Sequence, residues 1–101
     1  MKKLFIATST FSELSNEKIN LFKKKGILVI KNPLKRKLDK KNLLKLAKDT
    51  DYIIAGTEEY NREVLSKMHN LKILYRLGSG INNLDINYIK TNNIKLNFSK
   101  I

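Results

Sequence analysis

The sequence predicts an α/β fold in which five parallel strands form one sheet and helices cover both of its faces. Short runs of Ile, Leu and Val alternate five times with longer amphipathic stretches, a rhythm typical of successive βα units. These runs are almost continuously apolar, as expected of strands covered on both faces, whereas half-exposed hairpin strands alternate. The predicted strands are Lys3–Thr8, Ile27–Ile30, Tyr52–Ala55, Lys72–Arg76 and Ile94–Asn97.

The stretches between the strands carry start and stop signals for helices. The first helix is predicted to end in three lysines, which complement the helix dipole, before Gly26 supplies a left-handed stop. The next three helices are predicted to begin after Asp39, Asn61 and Asp85, whose side chains can cap a helix. An apolar pair spaced as a hydrophobic staple brackets each cap: Leu38 with Leu43, Tyr60 with Leu65, and Leu84 with Ile89.

Length and composition indicate a single domain. The chain has 101 residues, of which 42% are hydrophobic, enough for one modest core. No linker is long enough to divide it, so we expect residues 1–101 to form one domain. The loop from Lys31 to Lys37, which contains the only proline, is the best candidate for a mobile or variable segment.

Residue usage narrows the classes of function. The chain has no cysteine, which excludes disulfides and thiolate catalysis. No apolar run approaches the roughly 18 residues that a membrane helix needs, so we expect no membrane partner and a cytoplasmic protein. His69 is the single histidine and follows a predicted helix, where a donor near the last carbonyls is structurally useful. Glu58, Glu59 and Glu63 form a local acidic patch without a second histidine, so we expect no metal site.

The net charge suggests an alternative function, the binding of polyanions. Twenty-one Lys and Arg against nine Asp and Glu give +12, which can attract nucleic acid or other polyanions. Aromatic residues are not interleaved with the basic ones, so any nucleic-acid binding is expected to be non-specific. The same charge is also explained by solvated helix faces in a lysine-rich chain. A small basic binding module therefore stands as the alternative hypothesis.

A glycine-rich stretch after the fourth predicted strand is the strongest chemical signal. Gly78 and Gly80 allow a sharp turn in which backbone N–H groups, including that of Ser79, can face a bound anion. A plain turn would also favour glycine. A dinucleotide fingerprint is not predicted, because Asn83 stands where its third glycine belongs and the motif normally follows the first strand.

Other polar residues follow strands at the same predicted sheet edge, where ligands of open α/β sheets bind. Arg76 ends the fourth strand and is either an anion ligand or a surface charge. Gly56 and Thr57 follow the third strand and offer a close backbone approach and a hydroxyl. Hydroxyl residues at positions 8–10 complete the edge, although turn formation explains them equally well.

The stretch from Arg76 to Asp85 resembles the D-isomer-specific 2-hydroxyacid dehydrogenases of the phosphoglycerate dehydrogenase kind. Their substrate domain ends in a pattern that reads roughly Arg-x-Gly-x-Gly-x-Asp-Asn-hydrophobic-Asp, and this chain departs from it only at Asn82. The order of elements agrees with the resemblance over almost the entire chain. In place of the arginine and serine that such enzymes often carry after the third strand, this chain has Ala55 and Gly56, which argues against a phosphorylated substrate.

The resemblance implies a flavodoxin-like substrate-binding domain that corresponds to roughly the first third of an NAD-dependent oxidoreductase. It implies that Gly78, Ser79 and Gly80 hold the carboxylate of a 2-hydroxy or 2-oxo acid. The same resemblance places the NAD-binding Rossmann domain and the catalytic residues beyond residue 101. On this interpretation the chain is inactive alone and binds no cofactor itself. It is expected to be either a truncated dehydrogenase or a module that needs a partner carrying the cofactor domain.

Overall fold

A computed structural model describes residues 2–7, 16–34, 36–77 and 82–99, and side chains within them except those of 16–19, 77, 98 and 99. The predicted alternation of strands and helices is confirmed. The strands are β1 (Lys2–Ile6), β2 (Ile27–Lys31), β3 (Tyr52–Ala55), β4 (Ile73–Leu77) and β5 (Lys95–Ser99). The helices are α1 (Asn16–Lys24), α2 (Lys40–Ala47), α3 (Arg62–Ser66) and α4 (Ile86–Thr91). Four strands differ from their predicted bounds by one or two residues, and β3 has the predicted bounds.

The five strands form one parallel sheet in the order β2-β1-β3-β4-β5. The chain runs outward from β1 to β2, returns to β3 on the other side of β1, and then continues outward to β5. This reversal creates a topological switch point between β1 and β3, a place where open α/β sheets commonly bind ligands. The order is that of the flavodoxin-like fold, as predicted.

Helices cover both faces of the sheet, because successive side chains of each strand point to opposite sides. The larger core joins residues such as Phe5, Ile53 and Leu74 to the buried faces of α2, α3 and α4. The smaller core lies on the opposite face, where Ile6 and Ile54 pack with Phe22 of α1. The two cores explain why the strands are apolar at consecutive positions.

The predicted helix ends are confirmed. Asp39, Asn61 and Asp85 each accept a hydrogen bond from the backbone N–H three residues onward, at 2.8, 2.9 and 3.0 Å. Each cap satisfies an N–H group that the helix itself leaves without a partner. Gly26 has φ +80°, the left-handed conformation that was expected after α1.

The loop after β2 is tied to the sheet through Asn32, which is 1% exposed. Its side-chain amide donates to the carbonyls of Ala7 at 3.1 Å and Arg36 at 2.8 Å, and its carbonyl oxygen accepts from the N–H of Leu34 at 2.9 Å. These bonds lie within the loop that the sequence predicts to be mobile or variable. A buried amide satisfied in this way fixes the loop to the end of β1.

Candidate functional site

The carboxyl edge of the sheet brings together the described candidate residues. Arg76 lies in register with Ala55, so the end of β4 is beside Gly56 and Thr57, which follow β3. Thr57 is exposed, whereas Gly56 is buried. Residues 78–80, the remaining predicted anion-binding positions, and residues 8–10 lie outside the described residues.

A buried carboxylate organises the loop after β3. Glu58 is 1% exposed, and its Oε2 accepts hydrogen bonds from the N–H of Gly56 at 2.7 Å and the hydroxyl of Tyr60 at 2.5 Å. The predicted acidic patch is therefore wrong in one member: Glu59 and Glu63 are exposed, but Glu58 points into the protein. The Gly56 N–H already donates to Glu58, so it is not available to bind a ligand. Any part that Gly56 plays in the site comes from its position in the loop.

The same loop, residues 56–60, is bonded to the segment 83–85 that precedes α4. The N–H of Tyr60 donates to the carbonyl of Asn83 at 2.7 Å, and the N–H of Asp85 donates to the carbonyl of Tyr60 at 3.0 Å. The Asn83 side-chain amide donates to the carbonyls of Gly56 at 3.1 Å and Glu58 at 2.8 Å. The loop and the segment thus form one hydrogen-bonded unit at the sheet edge.

Three buried polar side chains interact electrostatically in and beside this unit: Glu58, Tyr60 and Arg76. Burial raises the pKa of the Tyr60 phenol well above its usual value, and the Glu58 carboxylate raises it further through its charge and its hydrogen bond. Arg76 opposes this shift in the Tyr60 pKa, which places its positive charge within electrostatic range of the phenol. Arg76 is only 7% exposed, so the alternative of a surface charge is wrong.

Sequence reasoning did not identify Glu58 and Asn83 as the residues that organise the edge. Glu58 follows a glycine by two positions, but the sequence carries no sign that its carboxylate turns inward. Asn83 was identified as a departure from a glycine motif and as a match to the dehydrogenase pattern, but neither indicated its bonds to loop 56–60. Tyr60 was predicted to pack against Leu65, and it is fully buried in the larger core.

Three further observations concern the rest of the described chain. His69 is exposed and follows α3, as its position suggested. Among residues 2–7, 16–34, 36–77 and 82–99, no cluster of His, Asp and Glu side chains is arranged to hold a metal ion. Within the same ranges, no helix has the length and apolar character needed to cross a membrane.

The sheet order and the two covered faces define an open, doubly wound α/β domain. Residues 7–97 match the family model of the D-isomer specific 2-hydroxyacid dehydrogenase, catalytic domain. The match covers most of the chain, and the chain therefore belongs to this family. The resemblance carried by residues 76–85 is confirmed.

Comparisons with individual proteins agree with the family. A provisionally named 2-hydroxyacid dehydrogenase of Staphylococcus saprophyticus is 35% identical over 77 residues, which cover 75% of this chain and 24% of that protein. NAD+-bound 3-phosphoglycerate dehydrogenase of Entamoeba histolytica superimposes with a TM-score of 0.77 at 22% identity. It covers 96% of this chain and 32% of its own.

D-lactate dehydrogenase of Salmonella superimposes with a TM-score of 0.71 at 18% identity, covering 96% of this chain and 29% of its own. At such identities the superpositions establish the fold. The chain spans about a quarter to a third of the length of these relatives. The comparisons favour the dehydrogenase interpretation over a basic binding module, since the matched relatives carry dehydrogenase names.

Proposed function

We propose that residues 1–101 form a substrate-binding domain that holds a 2-hydroxy or 2-oxo acid, in an enzyme that transfers a hydride between that acid and NAD. The observation that carries the proposal is the bonded unit of loop 56–60 and segment 83–85. It lies beside the end of β4 in a chain whose residues 7–97 match a dehydrogenase catalytic domain. Parallel sheets present such carboxyl edges to their ligands.

The acid's carboxylate is proposed to bind the backbone N–H groups of Gly78, Ser79 and Gly80. The described residues on either side support this location, because Leu77 ends β4 at the sheet edge and Asn83 begins the bonded segment. Arg76 adds positive charge beneath the edge, which favours an anion. Thr57, exposed in the neighbouring loop, offers a hydroxyl to the substrate.

The residues of this chain do not fit a dinucleotide site. Asn83 replaces the third glycine of the fingerprint, and its side-chain amide is bonded to the carbonyls of Gly56 and Glu58, where that motif needs close packing of helix on strand. The glycines also follow β4 and not β1. We therefore assign the nicotinamide and the acid–base groups to a separate cofactor domain, and the isolated chain is proposed to be inactive.

A titration of the full chain with pyruvate tests the site. The largest amide chemical-shift changes are expected at Gly78, Ser79 and Gly80, with smaller ones at Thr57. Thr57→Ala is expected to weaken binding about fivefold, the loss of one ordinary hydrogen bond. Thr91→Ala, an exposed threonine on α4, serves as the matched control and is expected to bind like the unaltered chain.

The opposite pattern contradicts the proposal. If the shifts concentrate on the lysine-rich helix ends while the amides of residues 78–80 stay unchanged, the acid is bound by charge alone. A parallel calorimetric titration with NADH is expected to show no measurable heat of binding. Micromolar affinity for NADH would overturn the assignment of the cofactor to another domain.

A further inference from the structure

The Glu58 carboxylate occupies a place that is costly for a charged group. It is 1% exposed, and both donors to its Oε2 are neutral groups from its own loop. Burying a carboxylate is unfavourable unless hydrogen bonds and nearby positive charge compensate for lost water. The Gly56 N–H and the Tyr60 hydroxyl supply two hydrogen bonds to the Glu58 carboxylate. An apolar side chain here would fill the space without bonding the loop.

We propose that Glu58 is a positioning residue of the acid site, which holds loop 56–60 in the conformation that bonds segment 83–85. The inference rests on the proposed function and deepens it, since it names the group that sets the shape of the site. Glu58 does not itself contact the substrate.

The bonding pattern gives the route by which Glu58 acts. Its Oε2 joins the residue two positions before it to the residue two positions after it, so the loop closes on its own carboxylate. The closed loop presents the carbonyls of Gly56 and Glu58 to the side chain of Asn83. Tyr60 then bonds the backbone of segment 83–85 in both directions, as donor and as acceptor.

The consequence concerns the proposed acid site. Thr57, whose hydroxyl is proposed to contact the acid, lies in the loop that Glu58 closes, and segment 83–85 is bonded to the same loop. If the loop loses its closing carboxylate, Thr57 and the segment are no longer held together at the sheet edge. These groups then have to be ordered on binding, which weakens affinity.

Amide hydrogen exchange tests the positioning role without any ligand. In Glu58→Ala the amides of Tyr60 and Asp85 are expected to exchange at least about tenfold faster, relative to any change at Leu74 in the inner strand β4. Glu58→Gln keeps an oxygen that can accept both bonds and is expected to retain most of the protection. Glu59→Gln, at the exposed neighbouring position, is the matched control and is expected to change neither amide.

The acid's affinity provides the second measurement, made on the same variants by titration with pyruvate. Glu58→Ala is expected to raise the Kd by about tenfold or more, and Glu58→Gln by less, following the order of the exchange rates. If Glu58→Ala destabilises the whole chain too far, Tyr60→Phe removes only the phenol donor and is expected to give a smaller change of the same kind. Tyr88→Phe controls for the loss of a hydroxyl on α4.

The outcomes separate the two claims. Equal acceleration of exchange at Tyr60, Asp85 and Leu74 means that Glu58 only stabilises the fold, and it overturns the positioning role. Faster local exchange with unchanged pyruvate affinity also overturns it, because the loop then opens without affecting the site. Failure of the unaltered chain to bind pyruvate contradicts the proposed function, and with it the inference, even where the exchange data show that Glu58 closes the loop.

Discussion

The burial of the Tyr60 side chain is expected to affect the stability of the folded protein at alkaline pH. Its hydroxyl donates to Glu58, and the phenol lies in the larger core with no exposed surface. Burial and the adjacent carboxylate both favour the neutral phenol, so the folded protein holds this proton more tightly than the unfolded chain does. The stabilising effect of Tyr60 is therefore expected to depend on pH.

The sign of that dependence follows from proton binding. Below the unfolded pKa of 10.0 both states carry the proton, and the stabilisation from Tyr60 is complete. As the pH rises above that value the unfolded chain loses the proton first, so unfolding becomes more favourable. Denaturant unfolding is expected to show Tyr60→Phe less stable by about 1.5 to 3 kcal/mol near neutral pH, with the gap narrowing in base. A gap that widens would contradict this account.

At the scale of elements, the three capped helices explain how much of the fold could be predicted. Asp39, Asn61 and Asp85 are local signals: a short polar side chain caps the N–H three residues on, whatever the rest of the chain does. Strand positions followed equally well from continuous apolar runs. The candidate site was only partly predictable, because it depends on contacts between residues distant in sequence.

Glu58 and Asn83 illustrate why the rest of the site was missed. They lie 25 residues apart, and the side-chain amide of Asn83 bonds the carbonyl of Glu58 only because β3 and β4 are neighbours in the sheet. A glutamate side chain can be buried only where hydrogen-bond donors are available in the interior, here the Gly56 N–H and the Tyr60 hydroxyl. The spacing of residues in the sequence does not reveal the position of either donor. Arg76 was placed at the correct edge, but its burial likewise depends on tertiary packing.

The cap of α2 provides a test at this scale. Asp39→Ala is expected to lower the free energy of unfolding by about 1 kcal/mol, since the N–H of Asn42 loses its acceptor. Asp49→Ala makes the same chemical change at an exposed position beyond the other end of the helix. There a negative charge is unfavourable to the helix dipole, so its removal is expected to be neutral or slightly stabilising. Equal losses in the two variants would show that charge, and not capping, is responsible.

At the scale of the whole molecule, the net charge is expected to determine how the protein binds nucleic acid and other polyanions. The charge of +12 attracts any polyanion through counterion release, with a non-specific Kd on the order of 10⁻⁴ to 10⁻⁶ M. Binding to single-stranded DNA, followed by fluorescence anisotropy, is expected to be independent of sequence and to be lost by about 200 mM salt. Tight binding to one particular sequence at that salt would revive the basic-module hypothesis.

Strand β2 lies at an end of the sheet, with consequences for self-association. Among the described strands it pairs only with β1, and its apolar run leaves Leu28 43% exposed. An edge of this kind is a template for pairing with another chain, and mutual repulsion of highly charged copies keeps such edges apart. Screening that repulsion with salt is expected to raise light scattering in concentrated samples. Leu28→Lys should suppress the rise, whereas Leu21→Lys, the same change at a more exposed leucine on α1, should suppress it less. Because β2 is an exposed edge strand, resistance to aggregation is expected to depend on the net charge of the protein.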